Sequence, residues 1–323
     1  MKRSFSWILA GFLGFSSISL EAFVLHQGSV RNEWREENLP PFDELMISWN
    51  AARPAKGRYL FYVSAKLEAW SPWFLYAVWG SEGQSSFLSE LEESSIRVYQ
   101  DALEVLEGKK ATGFQMRVVL DGDASLEDLH SLHVYINSDR SEKSFQETSY
   151  SHPIYLQVAG LSQMILHHDR YDDLCSPTST AAVLRYLSSN KGIDPVEFAE
   201  RVWDNGFDIF GNWVFNVAEA FTELGQEWSC WVERFNSFHE IYQKLDQGIP
   251  VIVSVKGPLV GSFLYYTGGH LMAVIGYDPD NQRVICMDPA APSDEEAHIS
   301  YALSDFLQAW SGRGRVVYVF NKN

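Results

Sequence analysis

Two patterns of hydrophobic and polar positions divide the chain. Between residues 42 and 138, short apolar-rich runs at 45–49, 57–67, 73–79, 94–99, 113–120 and 132–136 are separated by stretches containing Gly, Pro, Ser and Asp. Several runs alternate polar with apolar residues, as around Arg58, Leu60, Tyr62 and Ser64. That period of two is the signature of half-buried antiparallel strands. The spacing predicts a β-sandwich over residues 23–137. Residues 138–151 (SDRSEKSFQETSYS) carry no apolar period and read as a linker. From 152 to 323 the pattern changes. Helical stretches at 177–189, 194–204, 213–224 and 237–247 come first, and strands at 251–256, 270–277, 283–287 and 316–320 follow. Helices followed by an antiparallel sheet make this half α+β. No internal repeat is present.

The 323 residues, 46% apolar and 14% aromatic, suffice for two cores and exclude extended disorder. Twenty-five Lys plus Arg against 42 Asp plus Glu give a net charge of −17, a field that repels nucleic acid and anionic lipid. Lys2 and Arg3 precede an uncharged apolar stretch at 7–20, interrupted by Gly11 and Gly14. This is the form of a secretory signal ending near Ala22, which predicts export to the periplasm or the exterior and no membrane span once it is removed. An uncleaved anchor is the other reading of the same stretch. The chain has no Asn-x-Ser/Thr acceptor.

Cys175, Cys230 and Cys286 form no C-x-x-C pair, and their odd number leaves at least one free thiol. Cys175 lies just before a predicted helix, with Ser176 fitting the N-cap and Pro177 the first helical position. Free N–H groups and the positive end of the helix dipole favour a thiolate there. A small thiol packed beneath the helix is the plain structural reading. Further on, Gly268-Gly269-His270 opens a strand whose return, across a turn near 279–280, ends at Asp288-Pro289. Opposed residues then sum to about 558–560, which sets Asp288 within a residue of facing His270. A carboxylate there would fix the imidazole tautomer, giving the base and orienter that a cysteine nucleophile requires. An exposed histidine beside a turn-capping aspartate is the alternative. Gln163 is the available side-chain amide upstream of Cys175 that could help stabilise an oxyanion.

Cys-Ser-Pro-Thr-Ser-Thr at 175–180, Gly-Gly-His at 268–270 leading into Gly276-Tyr277-Asp278, and Asp288-Pro289-Ala290 together resemble the C39-like cysteine peptidases of the papain-like group. The resemblance spans about residues 150–323. It implies a papain-like α+β peptidase domain with Cys175 as nucleophile, His270 as general base, Asp288 as its orienter and Gln163 at the oxyanion. No metal or organic cofactor is implied. Ser176 departs from the glycine that many members carry after the cysteine. With no P-loop and no transporter spans, the leader-peptide processing of better-known members does not carry over. Ile47-Ser48-Trp49-Asn50 and Trp70-Ser71-Pro72-Trp73 also resemble the sandwich that precedes such domains in some secreted bacterial members.

Other clusters carry less. His130 with His133, and His167 with His168, lack the partner set of a zinc site. Glu92-Glu93 and Glu296 read as surface charge. Trp70, Trp73 and Trp79 fit sandwich core better than a sugar platform; a cell-envelope glycan is the partner that the second reading gives that half. Cys286 shares a strand face with Asp288, either packing under the site or pairing with Cys230. The expected function is an exported thiol hydrolase acting on peptide or protein substrates. Another acyl-transfer enzyme on the same three residues, transglutaminase-like or amidase-like, and a binding or adhesion protein with an inactive peptidase half are the competing readings.

Overall fold

The computed structural model describes residues 22–28, 31–91, 95–137, 150 and 152–323; the signal segment, Glu92-Glu93 and nearly all of the expected linker lie outside them. The first half holds β1 (Ala22–Gln27), β2 (Glu33–Phe42), β3 (Glu44–Ala51), β4 (Gly57–Lys66), β5 (Phe74–Gly80), β6 (Gly83–Ser86), β7 (Leu88–Glu90), β8 (Ile96–Tyr99), β9 (Ala102–Val105), β10 (Ala111–Gly122) and β11 (Leu129–Asn137). They form two antiparallel sheets, ordered β1-β11-β3-β9-β8-β7 and β2-β10-β4-β5-β6. The sheets meet at aromatic contacts: Trp49 of β3 stacks on Phe61 of β4 with centroids 4.2 Å apart, and Trp79 of β5 lies beside them. Strand β2 has no counterpart in the sequence pattern, because it carries three glutamates and two prolines. It sits at a sheet edge, where proline interrupts no ladder on its outer side.

The second half holds β12 (Ile154–Tyr155), α1 (Cys175–Leu187), α2 (Pro195–Val202), α3 (Trp213–Leu224), β13 (Trp228–Arg234), α4 (Phe238–Asp246), β14 (Val251–Gly257), β15 (Tyr266–Asp278), β16 (Arg283–Met287), β17 (His298–Ala302), α5 (Leu303–Ser311) and β18 (Val316–Lys322). Its sheet runs β13-β18-β14-β15-β16-β17, with β12 paired to β15. That pairing needs Gly276, where a Cβ would lie 2.3 Å from the Ile154 carbonyl oxygen. The architecture is α+β with large antiparallel sheets. Helix α1 is buried from 176 to 184 and packs on β15. Strands β12, β13 and β17 and helix α5 are additions to the sequence-based expectation.

The halves share one continuous core. Every residue of β3 is buried, and its two faces do different work. Trp49 points into the sheet pair, whereas the Ser48 hydroxyl accepts from Val232 N–H at 3.0 Å and the Asn50 side chain bonds both backbone groups of Cys230 in β13. Tyr150, at the end of the expected linker, packs on Tyr242 with centroids 4.4 Å apart. Among the described residues no helix is long and apolar enough to cross a membrane.

Candidate active site

Helix α1 begins on Cys175 itself, two residues earlier than expected. Leu174 is the N-cap and has no side-chain cap bond, while Tyr171–Asp173 form a 3-10 turn that feeds the helix directly. Pro177 is therefore third in the helix, where an N–H would also lack an intrahelical acceptor. Ser176 is not the cap; its buried hydroxyl is hydrogen-bonded to Tyr318 of β18 at 2.8 Å. Ser179 donates to the Leu271 carbonyl of β15 at 3.1 Å. These two bonds pin the first turn of α1 against the strands, beside His270.

In the β15–β16 pair Ala273 faces Met287 and Val274 faces Cys286. Carried outward, this register sets residue 290 opposite His270 and makes Asp288 its diagonal neighbour on the same face, still within reach of a long side chain. His270 Nε2 lies 2.8 Å from Asp288 Oδ1. With Nε2 engaged, Nδ1 is the nitrogen left to face the Cys175 thiol, with which the ring interacts. Asp288 is wholly buried yet fully satisfied. Oδ1 also accepts the Ala290 N–H at 3.0 Å, and Oδ2 accepts the hydroxyls of Tyr266 and Tyr301, each at 2.7 Å. The Tyr266 ring stacks on His270 with centroids 4.0 Å apart and planes 11° from parallel.

These contacts set the electrostatics. Burial alone pushes the Cys175 thiol up, but the hydrogen bond and charge of His270, with N–H groups from Leu271 and Ser176, outweigh it and leave the thiol below its ordinary range. Burial would lower His270; the Asp288 carboxylate and then Cys175 reverse that and push it up to about 10. Asp288 is held low despite burial, first by His270 and then by the two tyrosine hydroxyls. All three shifts run in the direction of a thiolate beside an imidazolium that leans on a carboxylate.

Gln163 is buried on the same side. Its backbone N–H donates to the Pro289 carbonyl at 2.8 Å and its Nε2 to the Asp172 carbonyl at 2.7 Å, three residues before Cys175. One amide hydrogen is engaged and the second remains. The Cys175 N–H, first in the helix, has no intrahelical acceptor. All four residues singled out in the sequence thus gather around the start of α1. Tyr266 and Tyr301 were not singled out. Tyr266 had a legible signal, standing four residues before His270 and so on the same strand face; Tyr301 lies on the unforeseen β17.

The remaining clusters fall elsewhere. Cys230 on β13 and Cys286 on β16 are separated by three strands, about 19 Å at ordinary strand spacing. A disulfide spans Cα atoms no more than about 7 Å apart, and all three cysteines are free. Burial pushes both of those thiols up. His133 is buried in the first half, its ring stacked on Trp231, and His168 pairs with Glu200 at 3.1 Å. Among the described residues no His/Cys/Asp/Glu group suits a metal ion. Trp79 is core, whereas Trp70 and Trp73 lie under Arg35 and Arg117.

The half that carries these residues is the one that the comparisons match. The model of the Peptidase_C39 like family matches residues 155–318, and the chain belongs to that family. Membership supports a peptidase. A crystal structure of a candidate C39-like peptidase from Bacillus anthracis is similar at 19% identity and a TM-score of 0.41, over 54% of this chain and 100% of that one. No curated protein matches the chain.

Proposed function

We propose that the protein is an exported cysteine peptidase. The Cys175 thiolate attacks the carbonyl carbon of a peptide bond, and the His270 imidazolium protonates the leaving amine. A water then loses its proton to His270 and hydrolyses the thioester, returning the thiolate. Asp288 holds the imidazole in its tautomer throughout. The Cys175 N–H and the free Gln163 amide hydrogen stabilise the oxyanion of each tetrahedral intermediate. No cofactor enters the scheme. The reading is supported by one observation: His270 Nε2 lies 2.8 Å from a carboxylate oxygen of the buried Asp288, and the same ring interacts with a thiol at a helix start. Export rests on the basic residues and uncharged apolar stretch at the N-terminus.

The test is cleavage of a broad peptide library by the purified protein beside Cys175→Ala. Cleavage by the parent and none by the variant is expected. Equal turnover by both removes Cys175 as nucleophile.

A further inference from the structure

A cavity of about 260 Å³ lies where the halves meet, lined among others by Trp213, Arg234, Asn236, Arg313 and Arg315. Most of its charges are already partnered. Arg234 makes two 2.7 Å bonds to Glu44, Glu104 is paired with Arg97, and Arg315 donates to the Asn236 carbonyl at 2.7 Å. Arg313 is different. Among the described residues its guanidinium forms no ion pair, and its Nε is buried with no acceptor. The guanidinium lies over Trp213, 5.3 Å from the ring centroid. Leaving a buried donor of a cation unfilled is costly, and an incoming anion recovers that cost.

Arg313 also borders the proposed cleavage site. A Cβ at Gly269 would meet its Nε at 3.3 Å and its Cζ at 3.5 Å, and Gly269, with φ of +107°, immediately precedes His270. A bulge in the β14–β15 pair lets Val255 face His270 and Gly257 face Tyr266, so 267–269 stand outside the ladder. Thr267 and Gly268 are exposed there. The Arg313 guanidinium therefore lies against the residue that immediately precedes His270.

We propose that Arg313, on its Trp213 platform, is a subsite for a substrate carboxylate, so that the enzyme prefers peptides with an acidic group beside the scissile bond. The proposal rests on the peptidase reading above. The shared chemistry is a carboxylate, from an Asp or Glu side chain or from a free C-terminus, held by a planar guanidinium that matches its two oxygens.

The test uses quenched-fluorescent peptides in two matched pairs, Glu against Gln beside the scissile bond and free against amidated C-terminus, with the parent protein, Arg313→Gln and Arg313→Lys. In one pair the parent is expected to favour the acid about tenfold in kcat/KM, as befits one charge-assisted hydrogen bond, through KM more than kcat. The favoured pair identifies the source of the carboxylate. Arg313→Gln should bring the ratio close to one, and Arg313→Lys should keep part of it. A ratio near one in the parent for both pairs, or a ratio unaltered by Arg313→Gln, overturns the subsite. Should the parent cleave nothing, the peptidase reading fails on its own. The same pairs are then titrated onto Cys175→Ala and onto Cys175→Ala with Arg313→Gln. Tighter binding of the acid that depends on Arg313 upholds the subsite, and equal binding overturns it.

Discussion

Replacing Tyr301 by Phe removes one oxygen from the wholly buried surroundings of Asp288 and keeps the ring. Four donors converge on that carboxylate: His270 Nε2 at 2.8 Å, Ala290 N–H at 3.0 Å, and the hydroxyls of Tyr266 and Tyr301 at 2.7 Å each. A hydrogen bond to a charged group is worth about 1.5–3 kcal/mol. At about 1.4 kcal/mol per pKa unit, losing one raises the Asp288 pKa by roughly one to two units. A carboxylate that holds its charge less well supports the imidazolium less. The His270 pKa, now pushed up to about 10, therefore falls. The Cys175 pKa rises, because the His270 hydrogen bond and charge are what outweigh burial at the thiol. The thiolate–imidazolium pair thus exists over a narrower pH range, with its acid limit moved up and its alkaline limit moved down. Iodoacetamide alkylation against pH, with the modified residue located by mass spectrometry, reads the acid limit without any substrate. Cys230 and Cys286, buried with thiols pushed up, are the slow internal controls. The expected result is a displacement of the Cys175 curve to higher pH by about half a unit, the transmitted part of the change at Asp288. Tyr266→Phe, which keeps the stack on His270, should act in the same direction. If both curves superimpose on the parent's while calorimetry records lost stability, the tyrosines hold the fold alone and the electrostatic coupling is refuted.

Two further outcomes follow from the contact between the halves. Glu44 and Arg234 form a nearly buried two-bond pair across it, so Glu44→Gln, which leaves the guanidinium uncompensated, should cost about 3–5 kcal/mol in urea unfolding. A loss below about 1 kcal/mol would mean that water reaches the pair. Asp101, beside β9, accepts the Trp213 N–H at 3.0 Å, and burial first and Asp204 second push its pKa up to about 7. An acid raised on folding binds its proton more tightly in the folded state, so its contribution to stability declines as pH rises from about 4 to about 7 and is constant beyond. Asp101→Asn keeps the acceptor and removes the charge. It should stabilise the protein by roughly 1–3 kcal/mol at pH 8 and hardly at all at pH 4, and equal effects at the two pH values would refute the assignment.

What could be read from the sequence was local, and what could not was the product of distant elements meeting. The Cys175 helix start, the His270 strand and the return to Asp288 lie within short windows whose turn and register can be counted, and the count errs only by the diagonal step that a side chain spans. The first turn of α1 was misplaced because Ser176 and Pro177 satisfy a local capping rule, while Tyr318, 142 residues away, takes the serine hydroxyl instead. Strand β17 is short and half-exposed, with no marked alternation, yet it delivers the Tyr301 hydroxyl to Asp288. The division into two units was equally local in origin. Ile47-Ser48-Trp49-Asn50 alternates as a sandwich strand should, and nothing in that alternation says that its polar positions face protein rather than water. Ser48 and Asn50 are there because β13 presents backbone groups that need partners, and a buried amide without one is expensive. Both sides of β3, polar and apolar, are thus fully occupied by packing partners. The first half therefore forms part of the framework behind the α3–β13 wall, and the cavity beside Arg313 is built from both halves.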